Sequence, residues 1–280
     1  MVRNEMITKR QKSIIVGCVF SDGSLSAAST STSACNYRFH ITQSEKRIGF
    51  IKWLKKELQS LPGGVHVYTF TTTGNNGFCH NKVKTKARLT TKRNKYFTNL
   101  HKMFYINGKK TVTKENIQLI DGLVLAMMIA GDGSHSQKHG FYLLHTEGFS
   151  PVESILLGDY LKQKFGLDYT LNHRKRTKHR KGEFWCLKFN CYSSYKLRKI
   201  ITKYLKDIKC LQYKVKKFLK PKVYFNYDFI TKNFLENELI ICKKTMVDIC
   251  KEYNIPVRYK ICKLARQYNI PVKVGRHTVV

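Results

Sequence analysis

Acidic side chains are scarce in this chain: 18 Asp and Glu stand against 52 Lys and Arg, a formal net charge of +34 over 280 residues. A surplus of that size exceeds what solubility needs and points to a polyanionic partner, because each phosphate neutralised by a basic side chain releases a condensed counterion. Long apolar runs are missing too. No stretch approaches the roughly 18 residues that cross a bilayer, and no charged start leads into an apolar signal core; the first apolar segment, Ile14 to Phe20, is too short. No membrane partner is expected. The nine cysteines are odd in number and irregularly spaced, with no Cys-x-x-Cys pair. That pattern argues against a disulfide framework and against a zinc site, and fits buried or indifferent thiols in a reducing compartment. What is present is 42% hydrophobic residues, enough for a sizeable core, and a length that suits about two domains. Charge alone leaves an enzyme acting on nucleic acid and a non-catalytic binder equally open.

The chain repeats itself after about 110 residues. Ser21-Asp22-Gly23-Ser24 and Gly131-Asp132-Gly133-Ser134 each close an apolar, proline-free run, Ile14 to Phe20 and Leu123 to Ala130, which predicts two buried helices with acidic tips. The same order of elements follows twice. An alternating strand comes first, at Tyr37 to Thr42 and at Phe141 to Thr146. Next is an amphipathic helix opened by a serine, Ser44 to Leu58 and Ser150 to Phe165, with Glu153 completing a capping box on Ser150. Two more strands follow, Val65 to Thr71 with Lys84 to Thr91, and Asp168 to His173 with Glu183 to Cys191. A closing helix ends each unit, at Lys95 to Phe104 and at Ser194 to Tyr204. The predicted fold class is α+β: two pseudo-twofold αββαββα repeats, residues 1–112 and 113–220, with saddle-shaped antiparallel sheets. Residues 221–280 lack strand alternation and are expected to form a small helical module.

A lone Asp-Gly after an apolar run is ordinary turn chemistry. Two copies inside a repeated unit mean more, because a pseudo-twofold would set the helices side by side and bring Asp22 and Asp132 together. Two carboxylates held close are costly unless a cation lies between them. Magnesium takes oxygen ligands and accepts phosphate as a further one, which suits metal-assisted phosphodiester hydrolysis.

At these residues the chain resembles the LAGLIDADG homing endonucleases. The two motifs read Ile15-Val16-Gly17-Cys18-Val19-Phe20-Ser21-Asp22-Gly23-Ser24 and Leu125-Ala126-Met127-Met128-Ile129-Ala130-Gly131-Asp132-Gly133-Ser134. The flanks Gln43-Ser44-Glu45-Lys46, Phe104 to Thr111, Thr146 to Ser150 and Leu211 to Lys214 are similar to the branch that includes mitochondrial intron-encoded enzymes, so the resemblance spans about residues 10 to 220. It implies that Asp22 and Asp132, with the carbonyls of Ser21 and Gly131, hold about two or three magnesium ions. It places Lys110 and Lys214 near the two scissile phosphates, where a lysine stabilises developing charge or orients water, and Gln43 beside the attacking water. It further implies double-strand cleavage with short 3′ overhangs at a long non-palindromic target, by a monomer because both halves lie in one chain. Organelle, virus and nucleus all stay open as the setting, with the abundance of Lys, Asn, Ile, Tyr and Phe suiting the A/T-rich genome of an organelle or a virus. Relatives that serve as maturases bind intron RNA and assist splicing, and they can keep both acids; a non-catalytic DNA binder is the third reading. Two departures from the family pattern stand out. The earlier acid of the family name is Phe20 in one motif and Ala130 in the other, and the glycine that lets the helices approach is present as Gly17 but replaced by Met127.

The strands carry the expected DNA surface. Lys84, Lys86 and Arg88 share one face, opposite Thr85, Ala87 and Leu89; Arg38, His40 and Thr42 alternate with Tyr37, Phe39 and Ile41; Lys188 and Asn190 alternate with Leu187 and Phe189. A basic sheet face can enter a major groove and read base edges. Within the run from Arg174 to Lys181, Arg174, Lys175, Arg176, Lys178 and Arg180 suit phosphate contacts, which position more than they specify. Near the C-terminus, Thr245 to Tyr253 and Arg258 to Tyr268 are expected as helices around an Asn254-Ile255-Pro256 turn, with Ile249, Ile255 and Ile261 as core. This resembles helix-turn-helix modules attached to some homing endonucleases, with Asn254 at the position that tolerates a positive φ.

Overall fold

The computed structural model describes residues 7–27, 36–73, 83–136, 139–174, 184–216, 227–253, 255, 258–274 and 277–279. The chain divides into two compact units, Met1–Leu219 and Lys220–Val280. In the first unit αββαββα occurs twice. The first pass runs α1 (Lys9–Phe20), β1 (Gly23–Ser26), β2 (Arg38–Ser44), α2 (Ile48–Leu58), β3 (Val65–Thr73), β4 (Val83–Thr91) and α3 (Lys95–Phe104). A two-residue hairpin, β5 (Tyr105–Ile106) with β6 (Lys109–Lys110), leads to the second pass. That pass runs α4 (Gly122–Asp132), β7 (Gly133–Ser136), β8 (Phe141–His145), α5 (Pro151–Phe165), β9 (Tyr169–Arg174), β10 (Phe184–Phe189) and α6 (Cys191–Leu205). Each half has a four-stranded antiparallel sheet, ordered β1-β2-β4-β3 and β7-β8-β10-β9.

The αββαββα pattern implies four strands per half, but residues are predicted for only three in each; the edge strands β1 and β7 supply the fourth. Their sequences, Gly-Ser-Leu-Ser and Gly-Ser-His-Ser, carry no β-branched residue and little apolar signal. They are strands because the chain leaves each acidic tip alongside β2 or β8 and pairs with it, Gly23 opposite Ile41 and Gly133 opposite Leu144. Ser150 caps α5 as expected: its hydroxyl accepts from the Glu153 amide, and Glu153 accepts from the Ser150 amide in return. Ser44 does not cap α2. Its side chain makes no capping bond, and a 3-10 turn at Glu45–Arg47 starts the helix. The last helix begins at Cys191, three residues ahead of the expected Ser194, because Asn190 turns its carboxamide to the Ser193 amide at 2.8 Å and caps it. Asn190 therefore lies past the end of β10 and is not on the strand face predicted for it.

The first unit has one continuous core, with α1 and α4 packed together at its centre. Every residue of α4 from Leu123 to Ala130 is buried, as is all of α1 from Ser13 to Phe20. A helix apolar on all sides is stable only when surrounded. The helix pair is pinned at its far end, where Ser13 donates to Asp121 at 2.6 Å while Asp121 caps α4 through the amides of Leu123 and Val124. Gly17 lies at the crossing: a Cβ there would sit 2.5 Å from Met127 Cβ and 2.5 Å from the Val124 carbonyl oxygen. One glycine thus suffices for close approach, and Met127 is the side chain that fills the space opposite it.

The second unit contains α7 (Lys232–Glu236), a π-helical turn (Asn237–Ile241), α8 (Met246–Glu252) and α9 (Arg258–Gln267). Ile249, Ile255 and Ile261 are buried together with Leu235, Met246 and Ala265, as the spacing predicts. Thr245 and Asp248 form a capping box at the start of α8. The unit is not wholly helical, however: β11 (Val272–Val274) and β12 (His277–Val279) close it as an antiparallel ribbon. Their two three-residue pieces are too short for alternation to stand out. Asn254 lies outside the described residues; in the repeated Tyr-Asn-Ile-Pro segment, Asn269 has φ 56°. Among the described residues no helix is long and apolar enough to cross a membrane, and the seven described cysteines are free.

Candidate active site

The α1–α4 packing carries both acids to one place. Asp22 follows the last turn of α1, where Ser21 donates its amide to the Cys18 carbonyl, and Asp132 closes α4. A Cβ on Gly131 would meet the Ser21 side chain and lie 3.3 Å from an Asp22 carboxylate oxygen, so the two tips touch and only glycine fits there. Burial, and then the neighbouring Asp22 charge, pushes the Asp132 carboxyl up to about 6, against the pull of Lys110, Lys214 and Arg47.

The two lysines expected near the phosphates both point at motif tips. Lys110 Nζ donates to the carbonyls of Ser21 and Gly23, each at 2.9 Å. Lys214 is 1% exposed and donates to the carbonyls of Ile129 (2.6 Å), Ala130 (2.7 Å) and Gly133 (2.8 Å), with Gly131 at 3.4 Å. The last carbonyls of a helix have no intrahelical donor and carry its negative dipole end, so a buried ammonium satisfies both demands. Burial lowers both lysines, Lys214 to about 7 with a further push from Arg47; Asp22 and Asp132 pull the other way in each case. Gln43 lies at the first tip, where its Nε2 donates to Asp22 at 2.7 Å.

Arg47 was not anticipated. Its guanidinium lies 3.6 Å from the Asp22 carboxylate and donates to the Gly131 carbonyl at 3.3 Å, to Gln43 Oε1 at 3.4 Å and to the Tyr213 hydroxyl at 3.0 Å. In sequence it is one more cation in a basic stretch. Its position one helical turn after Gln43 is the only linear signal, and that signal becomes visible once the 3-10 turn is known.

The donor set suits a hard divalent cation. Two carboxylates and the Ser21 and Gly131 carbonyls supply oxygen only, and among the described residues no group of three or more His, Cys, Asp and Glu offers an alternative metal site. Burial is the first cause of the raised Asp132 carboxyl and the Asp22 charge the second, and a divalent ion between the acids would relieve the second.

Beside the tips lie the open sheet faces. In the first half Arg38, His40, Lys84, Lys86 and Arg88 share the face opposite the buried Phe39, Ile41, Ala87 and Leu89, as alternation predicts. Register adds His66, Tyr68 and Phe70, which alternation along β3 could have exposed. Arg88 is held by Thr42 Oγ1 at 2.8 Å and Tyr68 OH at 3.3 Å, with its guanidinium 5.3 Å from the Phe70 ring centre. Burial, then Arg88 and Arg38, lowers the His40 pKa, and the imidazole pairs with Ser24 Oγ at 2.9 Å. Arg38, His40, His66, Tyr68 and Arg88 line a groove of about 770 Å³. The corresponding face of the second half holds Lys188 with its ammonium 4.5 Å from the Phe141 ring centre. Asn190 lies beyond this strand face, its carboxamide capping α6. Lys175, Arg176, Lys178 and Arg180, and the side chain of Arg174, lie outside the described residues.

Comparison with known proteins now decides the family. The profile of the LAGLIDADG DNA endonuclease family matches residues 12–197, which takes in both motifs and both sheets. This chain belongs to that family. A relative from Mycosarcoma maydis named "Probable intron-encoded DNA endonuclease 3" is 32% identical over 127 residues, covering 43% of this chain and 86% of the relative. The structure of the homing endonuclease I-WcaI bound to its DNA recognition sequence superposes with a TM-score of 0.61 at 18% identity, covering 76% of this LAGLIDADG chain and 89% of I-WcaI. The match carries the fold: two repeats around a central helix pair.

Proposed function

We propose that this LAGLIDADG chain is a site-specific endonuclease that hydrolyses both strands of a long, non-palindromic DNA target, acting as a monomer with magnesium and leaving short 3′ overhangs. The observation that carries the proposal is the meeting of Asp22 and Asp132 at the paired helix tips, flanked by two sheets with polar faces. The matched relatives, named as DNA endonucleases, support it.

In this reading residues 1–112 and 113–220 are the two halves, and each addresses one strand. Asp22 and Asp132, with the Ser21 and Gly131 carbonyls, would hold the divalent ions. Bound there, magnesium supplies charge neutralisation at phosphate and a more acidic water. The side chains do the rest. Gln43, held by Asp22, orients the attacking water. Arg47 lies where negative charge builds on phosphate and is already tied in place by Gly131 and Tyr213, so little reorganisation accompanies the reaction. Lys110 and Lys214 hold the tips rigid and add positive potential. Arg38, His40, Lys84, Lys86 and Arg88 read or grip the first half-target, Lys188 and Asn190 the second, and the basic 174–181 segment binds phosphate. His40, with its lowered pKa, meets DNA as a neutral donor or acceptor at pH 7. Residues 221–280 form an additional DNA-binding module of helix-turn-helix type. The setting is an intron or other mobile element of an organelle or virus.

The test is magnesium-dependent cleavage of a plasmid library carrying randomised long inserts, with the ends sequenced, for the wild type beside Asp22→Asn and Asp132→Asn. Discrete double-strand cuts lost in both variants are expected. Tight binding to DNA or to a structured intron RNA, with no cut by the wild type, would overturn the nuclease assignment in favour of a binder or a maturase.

A further inference from the structure

The strands of the two halves correspond one to one, but their outer faces differ in chemistry. Gly23 pairs with Ile41 and Gly133 with Leu144, so Ile41 and Leu144 are equivalent. Counting back along β2 and β8 sets His40 against Leu143 and Arg38 against Phe141. Across the ladder, Thr42 faces Arg88 and His145 faces Cys186, which makes Arg88 and Cys186 equivalent as well. Two guanidinium groups and an imidazole in the first half, at Arg38, Arg88 and His40, thus give way to Phe141, Cys186 and Leu143 in the second.

The exchange takes place on the face turned away from the core. Tyr142 and Leu144 are buried, and Phe141, Leu143 and His145 alternate with them on the other side, half-buried. β7 adds Ser134 opposite Leu143 and Ser136 opposite Phe141. β10 places Lys188 opposite Leu143, with its ammonium 4.5 Å from the Phe141 ring centre. Among the described side chains Lys188 is the only Lys or Arg on the outer face of these four strands. Phe141, Thr170 and Lys188 line a groove of about 480 Å³ on this sheet. Phosphate oxygens and guanine edges offer a leucine nothing. The one apolar group that B-DNA presents in its major groove is the C5-methyl of thymine, and packing it on an aliphatic side chain removes both surfaces from water.

We infer that Leu143, with Phe141 beside it, makes the second half a thymine reader: the half-target under this sheet carries thymines whose 5-methyl groups pack on these two side chains. The first half reads by hydrogen bonds, since Arg38 and Arg88 suit guanine O6 and N7. The inference rests on the reading of the sheets as the DNA surface and holds whether or not the helix tips cut. Burying one methyl group strengthens binding about fourfold, and each contacted thymine gains that much over uracil, which lacks the methyl.

The test starts from duplexes that the full chain retains from a randomised library in calcium, so that a site is obtained with or without cleavage. Each thymine of the selected site is replaced singly by uracil and the Kd measured by competition. At a few thymines on one side of the centre, the wild type should bind the uracil form about fourfold more weakly. Leu143→Ala should bind the thymine and uracil forms alike at one of those positions and Phe141→Ala at a neighbouring one, with melting temperatures showing that both variants fold. Leu143→Gln should move the selected base from thymine towards adenine, whose N6 and N7 an amide can bond. A selected site at which no uracil weakens binding, or penalties and base choice that persist unchanged in the variants, overturn this inference and leave the endonuclease reading intact. A site that is bound and read through its methyls but not cut in magnesium supports this inference and overturns the endonuclease reading. Retention of no duplex overturns both.

Discussion

Replacing Gly17 with alanine tests whether close approach of α1 and α4 sets the site. The added methyl would lie 2.5 Å from Met127 Cβ and 2.5 Å from the Val124 carbonyl oxygen, where ordinary contact begins at 3.4 Å, so the helices must separate by about 0.9 Å. Neither neighbour is the free end of a flexible chain; one is backbone and the other is fixed to it. Overpacking of this kind costs about 1 to 3 kcal/mol, and the upper part of that range applies here. Alanine also gains about 1 kcal/mol over glycine inside a helix. The net loss is therefore about 1 to 2 kcal/mol, measured by urea denaturation. Activity should suffer more, since displacement by about 1 Å near reacting groups can cost on the order of 100-fold in rate. Gly148→Ala is the control: a Cβ there meets nothing within 4 Å. Stability within about 0.5 kcal/mol of wild type, together with wild-type cleavage, in Gly17→Ala would refute the claim that this contact places the acids.

Further expectations concern charge and capping. Asp132 titrates at about 6 in the folded chain, above its ordinary value, so the folded state binds more protons than the unfolded between about pH 4 and 6 and this group's contribution to stability falls as pH rises through that window. Asp132→Asn should thus stabilise the magnesium-free protein by about 1 to 3 kcal/mol at pH 7 and by almost nothing at pH 4, read by thermal melts; magnesium should then raise the melting temperature of the wild type more than that of the variant. For Glu153, burial acts to raise the carboxyl, but hydrogen bonds from Ser150 and Val112 outweigh it and the pKa is lowered, so its stabilisation holds above the ordinary carboxylate range and is lost as pH falls through the depressed value. Glu153→Ala should cost about 1 kcal/mol at pH 7 and less at pH 3, and an equal cost at both would contradict the assignment. Arg88→Ala should weaken target binding by about 1 to 3 kcal/mol, measured by competition at several salt concentrations, with little change in cutting rate at saturating DNA; unchanged affinity would remove Arg88 from the interface.

The local signals in the sequence were strong wherever one face of an element meets the core. Phe39 and Ile41 against Arg38 and His40, and Ala87 and Leu89 against Lys86 and Arg88, mark strands whose two faces meet different surroundings, and such alternation survives in the linear chain. Ser150 with Glu153 marks a helix start because capping is a three-residue affair. The duplicated Asp-Gly pairs determined the repeat, the helix pair and the acids. Other features depend on partners far away in sequence. β1 and β7 are strands only because β2 and β8 lie beside them. Asn190 reads as the next residue of a strand until its carboxamide is seen bonding Ser193. Arg47 is one cation among many until folding brings the Gly131 carbonyl, 84 residues away, within 3.3 Å. Lys214 is singled out by the resemblance of its flank, but its burial among the carbonyls at the end of α4 exists only in the folded chain. Sequence decided which faces are apolar and where the acids sit, since both are properties of short segments; tertiary structure alone decided that Arg47 attends Asp22 and that the lysines bond the tip carbonyls, because that requires distant segments to meet in the same few ångströms.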